Sequence, residues 1–393
     1  MKILVLINDY YPFNKPTAKL AHRIIKNFSN RKTEVDVISK GSDCSQKKIS
    51  ERIVNYQIVD YDLIKGFSIA KVFYKLKRKI FAKFSIWGLF DSKRLFKMAK
   101  KLVKNNKYDL VLSISGVFSA HEAATTIATK YDIPLFLYYA DPFTGNWVLR
   151  KKKQTFIHKV EKKWLAKACC VFMPQCYFDD YAKSFAEYKN KITLCELPGF
   201  FDESEIQIID SSKKLNKLVV YAGDFFPNFR EPYNFIALAK KLSDYTFLVM
   251  GSLKMDDFQL SSIPSNIKIV KRLSGDEYLK TIGTASFLYL EDNYFPNQIP
   301  YKTFEYISAN RPIIFSTKNT DSATSRLIKH VKNIVIVTDV ETINRDLFDV
   351  INNKTNLENK LPDFYVKYKT NVICDIIFDK IKECLENKNN DYR

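Results

Sequence analysis

The residues best placed to do chemistry lie between Asn297 and Glu305. Pro300 has the fixed φ that suits a first helical turn. A short helix is therefore expected over Tyr301–Ala309, closed by Asn310 in the left-handed region. The apolar run Ile313–Phe315 then reads as a buried parallel strand. The helix start at Tyr301 leaves backbone N–H groups unpaired and attracts phosphate, and Lys302 adds a full positive charge. Glu305 falls on the same face one turn on, where a carboxylate can accept two hydrogen bonds from the paired hydroxyls of a ribose. Asn297 and Gln298 offer amides to further hydroxyls. Phosphate at the helix start and a diol one turn inside describe a nucleoside diphosphate. The same spacing also describes an ordinary βα unit with a surface lysine and glutamate.

Alternating short apolar strands and amphipathic helices surround this segment. Lys2–Asn8, a helix from Ala18 to Ser29 and Glu34–Ser39 form an opening βαβ unit, and the strands continue at Tyr108–Ser115, Pro134–Tyr139, Cys170–Pro174 and Ile192–Leu197. A second series begins at Lys217–Ala222 and leads into Gly223, whose missing side chain permits close backbone approach. It runs on through Thr246–Gly251, Ile267–Lys271 and Ala285–Leu290 to Asn333–Thr338. The expectation is an α/β chain of two Rossmann-like domains, with ligands at the carboxyl ends of the strands. Charged and small polar residues crowd near 200–215 and place the domain boundary there.

The run Pro-x-Lys-x-Phe-Glu-Tyr at 300–306, followed by Arg-Pro-Ile-Ile at 311–314, resembles the donor-binding signature of retaining glycosyltransferases with the GT-B fold. The match is to glycosyltransferase family 4, which includes many bacterial polysaccharide and lipopolysaccharide enzymes. The resemblance implies that Glu305 holds the donor ribose. It implies that Arg230, the basic residue soon after Gly223, holds the donor diphosphate, and that the segment at Arg272 cradles the nucleobase; a surface arginine at a helix start fits Arg230 as well. The acidic residue that the family carries eight positions before Glu305 is Asn297 here, and the paired glycines of its first loop are replaced by Asn14-Lys15-Pro16-Thr17. The stretch Tyr108–Trp147 is similar to the family's acceptor-domain core, which implies that His121 and Asp141 face the inter-domain cleft. His121 would donate a hydrogen bond to the sugar or its phosphate, and Asp141 would orient or deprotonate the acceptor hydroxyl. A packing histidine and a turn-forming Asp-Pro fit those two residues as well. The GT-B fold implies domains of 1–205 (acceptor-binding) and 206–374 (nucleotide-sugar-binding), facing across a cleft, with a helix over 375–393 returning to the first.

At 393 residues each domain is large enough for its own core. Seven scattered cysteines form no Cys-x-x-Cys pair and only four histidines could join them, which argues against a zinc site and fits reduced thiols in a cytosol. MKILVLIND reads as a strand, not a signal peptide, and no apolar stretch is long enough to span a membrane. The net charge of +20 calls for an anionic partner. It is concentrated: Lys65 to Lys104 holds 13 lysines or arginines against one acid, Asp91. Ile69–Trp87 reads as a basic amphipathic helix, with Lys75, Lys79, Lys83 and Trp87 suited to an anionic membrane interface, and Ser92–Asn105 as a second helix. A core-packed helix with a wet basic back fits the first of these too. Arg150 and Lys151 open a further basic run, Arg150–Lys153, suited to a phosphate-bearing acceptor, and a solvated charge run fits it equally.

The expectation is a cytoplasmic, membrane-attached, metal-independent glycosyltransferase of the hexosyltransferase type, with no cofactor beyond its nucleotide-sugar donor. The resemblance points to a uridine diphosphate sugar and to a lipid-linked or polysaccharide acceptor in bacterial surface glycan assembly. Two alternatives remain: a nonhydrolysing nucleotide-sugar epimerase of the same fold, and a non-enzymatic basic protein that binds membrane or nucleic acid. No nucleic-acid signature supports a nucleic-acid partner.

Overall fold

The computed structural model describes residues 1–10, 15–41, 44–60, 69, 71–76, 88–115, 117–144, 151–212, 217–226, 229–253, 263–331, 334–342 and 363–390. The chain forms two compact units, Met1–Pro198 with Thr370–Arg393, and Gly199–Lys369.

The first unit is built on an eight-stranded sheet. Its elements begin β1 (Lys2–Leu6), α1 (Pro16–Asn30), β2 (Glu34–Gly41), β3 (Gln46–Ser50), β4 (Ile53–Val59) and α2 (Leu89–Asn105). They continue β5 (Leu110–Ser115), α3 (Phe118–Tyr131), β6 (Leu135–Tyr139), α4 (Lys151–Lys167), β7 (Cys170–Met173), α5 (Gln175–Ser184) and β8 (Ile192–Leu194). The strand order is β3-β4-β2-β1-β5-β6-β7-β8. All neighbours are parallel except β3 on β4. Helices on both faces explain why β5 and β6 are buried at every position and β1 at every position but Lys2. α1 buries Leu20, Ile24, Ile25 and Phe28 on one stripe. The C-terminal helix Thr370–Asn390 belongs to this unit, with Phe378 against Phe28 and Asp375 paired to Arg31.

The second unit holds α6 (Glu203–Asp210), β9 (Leu218–Ala222), α7 (Tyr233–Lys241), β10 (Thr246–Met250), β11 (Ile267–Val270) and α8 (Gly275–Thr284). It ends with β12 (Phe287–Glu291), α9 (Lys302–Ser308), β13 (Ile313–Ser316), α10 (Ala323–Ile328) and β14 (Ile334–Val337). Six parallel strands run in the order β11-β10-β9-β12-β13-β14. The order reverses between β9 and β12, so the loops that leave their carboxyl ends diverge and open a ligand crevice. The core beneath is aromatic, with Tyr221, Phe225, Phe235, Tyr245, Phe247, Phe287 and Tyr289 buried.

Several features depart from the sequence reading. β3 and β4 extend the first sheet where no strand was expected, because β3 is the polar run QKKIS and has no fully buried residue. The chain joins the second unit at Gly199, before residue 205, because that glycine lies flat on Phe304: a Cβ there would sit 2.5 Å from the Phe304 Cβ. Thr370, not residue 375, starts the C-terminal helix. Of the basic helix expected over 69–87, residues 69 and 71–76 are helical, and Lys79, Lys83 and Trp87 lie outside the described residues.

Candidate functional site

The carboxyl end of β9 and the start of α9 bring the donor-site residues of the second unit together. Gly223 follows β9 at φ +154°, and a Cβ on it would lie 2.5 Å from the Lys302 amine. α9 is pinned to the strand end by the Ala222 N–H, which donates to the buried Tyr306 hydroxyl at 2.9 Å. Lys302 is thereby drawn inward. Its Nζ lies 3.6 Å from the centroid of the Tyr221 ring and makes no hydrogen bond. Burial holds this amine well below its usual pKa, and Arg230 and Arg272 push it lower still, against the opposing pull of Glu305 and Asp224.

Arg230 closes a tight turn, its backbone paired with Phe226 in both directions, and its buried Nε has no partner. Arg272 donates to Asp224 at 2.5 Å, and Ser252 donates to the other Asp224 oxygen at 2.9 Å. Burial would raise that carboxyl, but the two bonds outweigh it and hold Asp224 below its ordinary value. Glu305, buried on α9, accepts from the Tyr278 hydroxyl at 2.7 Å. Asn310 closes the segment in the left-handed region, at φ +50°.

The helix itself is shorter than expected, seven residues from Lys302 to Ser308, with Tyr301 as the residue before it. Positive charge at this point therefore comes from side chains more than from a macrodipole. Asn297 is exposed, and Gln298 is half-buried with its backbone carbonyl accepting from Asn293 Nδ2 at 2.9 Å. A small pocket adjoins Arg230, lined also by Asn234, Glu291, Asp292, Asn293 and Lys318. Burial pushes Glu291 up to about 8, and Asp292, held by Thr317 and Ser322, is also raised.

The first unit treats its residues differently. His121 has no exposed surface. Its Nδ1 lies 2.8 Å from Ser113 Oγ, and its ring packs among Tyr139, Phe143 and Trp164. Burial pulls its pKa down to about 3, so the ring is neutral and packed in the core of this unit, where it offers no surface to a ligand. Asp141 follows β6, half-buried. The turn that carries it is tied down by Glu161 of α4, which accepts from the Thr144 N–H at 3.0 Å, from the Thr144 hydroxyl and from the Tyr181 hydroxyl at 2.6 Å. Burial pushes Glu161 up to about 7 against those donors. Lys151 opens α4, Lys75 is exposed, and Arg150 lies outside the described residues. Asp224, Tyr278, Tyr221 and Glu161 escaped the sequence reading, because each acts through a partner distant in sequence.

No protein-family model matches the chain, and no curated protein matches it in sequence. Solved structures do. Sucrose-phosphate synthase from Thermosynechococcus elongatus aligns with all of this chain and 98% of its own, at 10% identity and TM-score 0.60. The UDP-GlcNAc 2-epimerase of Methanocaldococcus jannaschii aligns with 98% of this chain and 100% of its own, at 11% identity and TM-score 0.55. WaaG, a glycosyltransferase involved in lipopolysaccharide biosynthesis, aligns with 95% and 99%, at 13% identity and TM-score 0.57. The fold is GT-B. Within the GT-B unit that carries β9 and α9, Gly223, Arg230, Arg272, Lys302 and Glu305 form one cluster.

Proposed function

We propose that this chain is a metal-independent retaining hexosyltransferase of the family-4 type. It would move a sugar from a nucleoside diphosphate, with uridine diphosphate the first choice, to a lipid-linked or polysaccharide acceptor in bacterial surface glycan assembly at the inner face of the plasma membrane. Lys302 carries the proposal. A buried amine without a hydrogen-bond partner, set beside a glycine and two arginines, has the chemistry to receive an anion. A diphosphate there would raise the amine's pKa and be stabilised as it leaves, with Arg230 as a second cation. Glu305 would take the ribose in exchange for its bond to Tyr278. Asn297 and Gln298 would meet sugar hydroxyls, and Asp141 the acceptor hydroxyl. His121 is assigned no substrate contact.

The test is thermal stabilisation by UDP against uridine, since a ligand that binds only the folded state raises the melting temperature by mass action. UDP should stabilise the wild type and uridine should not, and Lys302→Met should lose the shift. Equal stabilisation by uridine would remove the diphosphate assignment. Release of UDP from a UDP-sugar in the presence of acceptor should persist in EDTA.

One observation favours the epimerase alternative: Glu291, partly buried, and Asp292, buried, are adjacent acids on a pocket beside Arg230. Proton abstraction and return would use such a pair. Incubation of UDP-sugars without acceptor separates the two readings, because an epimerase exchanges the C2 proton with solvent deuterium and a transferase leaves it in place.

A further inference from the structure

Residues 69 and 71–76 of the first unit are helical and carry four large apolar side chains in water: Ile69 is 68% exposed, Val72 49%, Phe73 58% and Leu76 53%. Their spacing of i, i+3, i+4 and i+7 puts them on one stripe. That stripe is not the side facing the protein. Tyr74 is, at 4% exposed, with its hydroxyl donating to Asp91 Oδ1 at 3.1 Å and its ring 5.6 Å from that of Phe90. The Arg94 guanidinium lies 5.5 Å from the same ring. The stretch is thus anchored on α2 by its one buried residue and holds its apolar side outward.

α2 supplies the second observation. Lys93, Lys97, Lys101 and Lys104 are exposed along one face of this helix, and Lys75 is exposed on the neighbouring stretch. Asp91, the single acid from Lys65 to Lys104, is buried and paired with Lys40 at 2.5 Å and with Arg94. The run from Lys65 to Lys104 carries a net charge of +12.

We infer that this apolar ridge and the lysine face of α2 form a docking surface for an anionic phospholipid bilayer. The ridge enters the boundary between headgroups and acyl chains, and the lysines meet lipid phosphates. Charge complementarity selects this occupant. A second copy of the chain would bring two molecules of +20 together, lysine face to lysine face. A nucleic acid would use the lysines and leave the ridge in water. The surface deepens the membrane placement of the proposed function, but it needs no nucleotide, so membrane docking and sugar transfer can each fail alone.

The test is co-sedimentation of the full chain with vesicles, without nucleotide. One set is phosphatidylcholine, the other phosphatidylcholine and phosphatidylglycerol in equal parts. The wild type should bind the mixed vesicles, release as sodium chloride rises, and ignore phosphatidylcholine alone. Two variants dissect the surface: Val72→Ser with Phe73→Ser and Leu76→Ser, and Lys93→Gln with Lys97→Gln, Lys101→Gln and Lys104→Gln. Each should lower partitioning about tenfold or more. Because every substituted residue is exposed, melting temperatures should not move. Equal binding to both vesicle types, or either variant binding like the wild type, would overturn the inference. So would a wild type that ignores vesicles but forms a dimer abolished by the serine variant, or one that retains only RNA through its lysines.

Discussion

Two buried ionisable groups, one in each unit, sit beside the carboxyl ends of parallel strands and meet opposite fates. Glu161 in the first unit is saturated, receiving the Thr144 N–H and hydroxyl and the Tyr181 hydroxyl. Lys302 in the second is unsaturated, with a tyrosine face beneath it and no acceptor within reach. A buried polar group normally finds partners, and one that has them all is part of the scaffold. One that lacks them costs the folded protein stability, which a bound partner would recover. The contrast sets a brace beside the proposed site.

The largest effect should come from the site. Lys302→Met removes the cation and fills its place with apolar volume. Sugar-transfer turnover should fall by about 100- to 1,000-fold, the scale for losing one preorganised charge-stabilising donor. The free protein should melt at the same temperature or higher, because an uncompensated buried charge is gone. Glu305→Ala should likewise abolish turnover and weaken donor binding, measured by calorimetric titration with UDP. A Lys302→Met enzyme that loses stability and keeps turnover would make Lys302 a brace like Glu161.

The brace should fail the other way. Glu161→Ala strands the Thr144 and Tyr181 donors in the core, at a cost of about 3 kcal/mol or more in unfolding free energy by denaturant titration. The affinity for UDP should not change. An unchanged denaturation midpoint would mean that the turn carrying Asp141 is held by something else.

Gly223→Ala tests how tightly the site is built. The alanine Cβ would press on the Lys302 amine, and its backbone would hold a φ that side chains rarely adopt. The lysine tip can move, so the backbone term dominates, about 1–3 kcal/mol. UDP affinity should drop with it, since the displaced amine no longer points at the diphosphate. A variant as stable as the wild type would show that this glycine is a convenience of the turn.

Much of this was legible in the sequence where local rules act alone. The parallel strands other than β4 read as apolar runs, and Asn310 was read correctly as the residue that closes α9, because φ preference is a property of one residue. The α6 helix was missed although Asp202 and Glu205 form a capping box that the D-x-x-E spacing spells out. Other features were not local. Arg272 meets Asp224 across 48 residues, and Tyr278 meets Glu305 across 27. Neither pairing leaves a mark on sequence spacing. His121 read as a ligand contact through the resemblance of Tyr108–Trp147 to a family's acceptor-domain core, with a packing histidine as the other reading. The structure buries it because Tyr139, Phe143 and Trp164 converge on that point from three other segments.

The smallest effect concerns acid and base within the first unit. The folded chain holds His121 near pKa 3 against an ordinary 6.5, so between those values only the unfolded chain takes the proton. Stability then falls as pH falls through that window, by at most about 1.4 kcal/mol per pH unit. Glu161 runs the other way. Raised from 4.5 to about 7, it keeps its proton in the folded chain while the unfolded chain loses it. Its contribution falls as pH rises from 4.5 to 7, with the same limiting slope. Between pH 4.5 and 6.5 the two should nearly cancel. Denaturant titrations across that range, read as differences from the wild type, expose each in turn. His121→Phe should become less stable relative to wild type as pH rises, because only the Glu161 slope survives. Glu161→Gln should become more stable relative to wild type over the same range, because only the His121 slope survives. Parallel profiles for both variants would mean that neither group changes its protonation on unfolding, and the aromatic box around His121 would then be open to water.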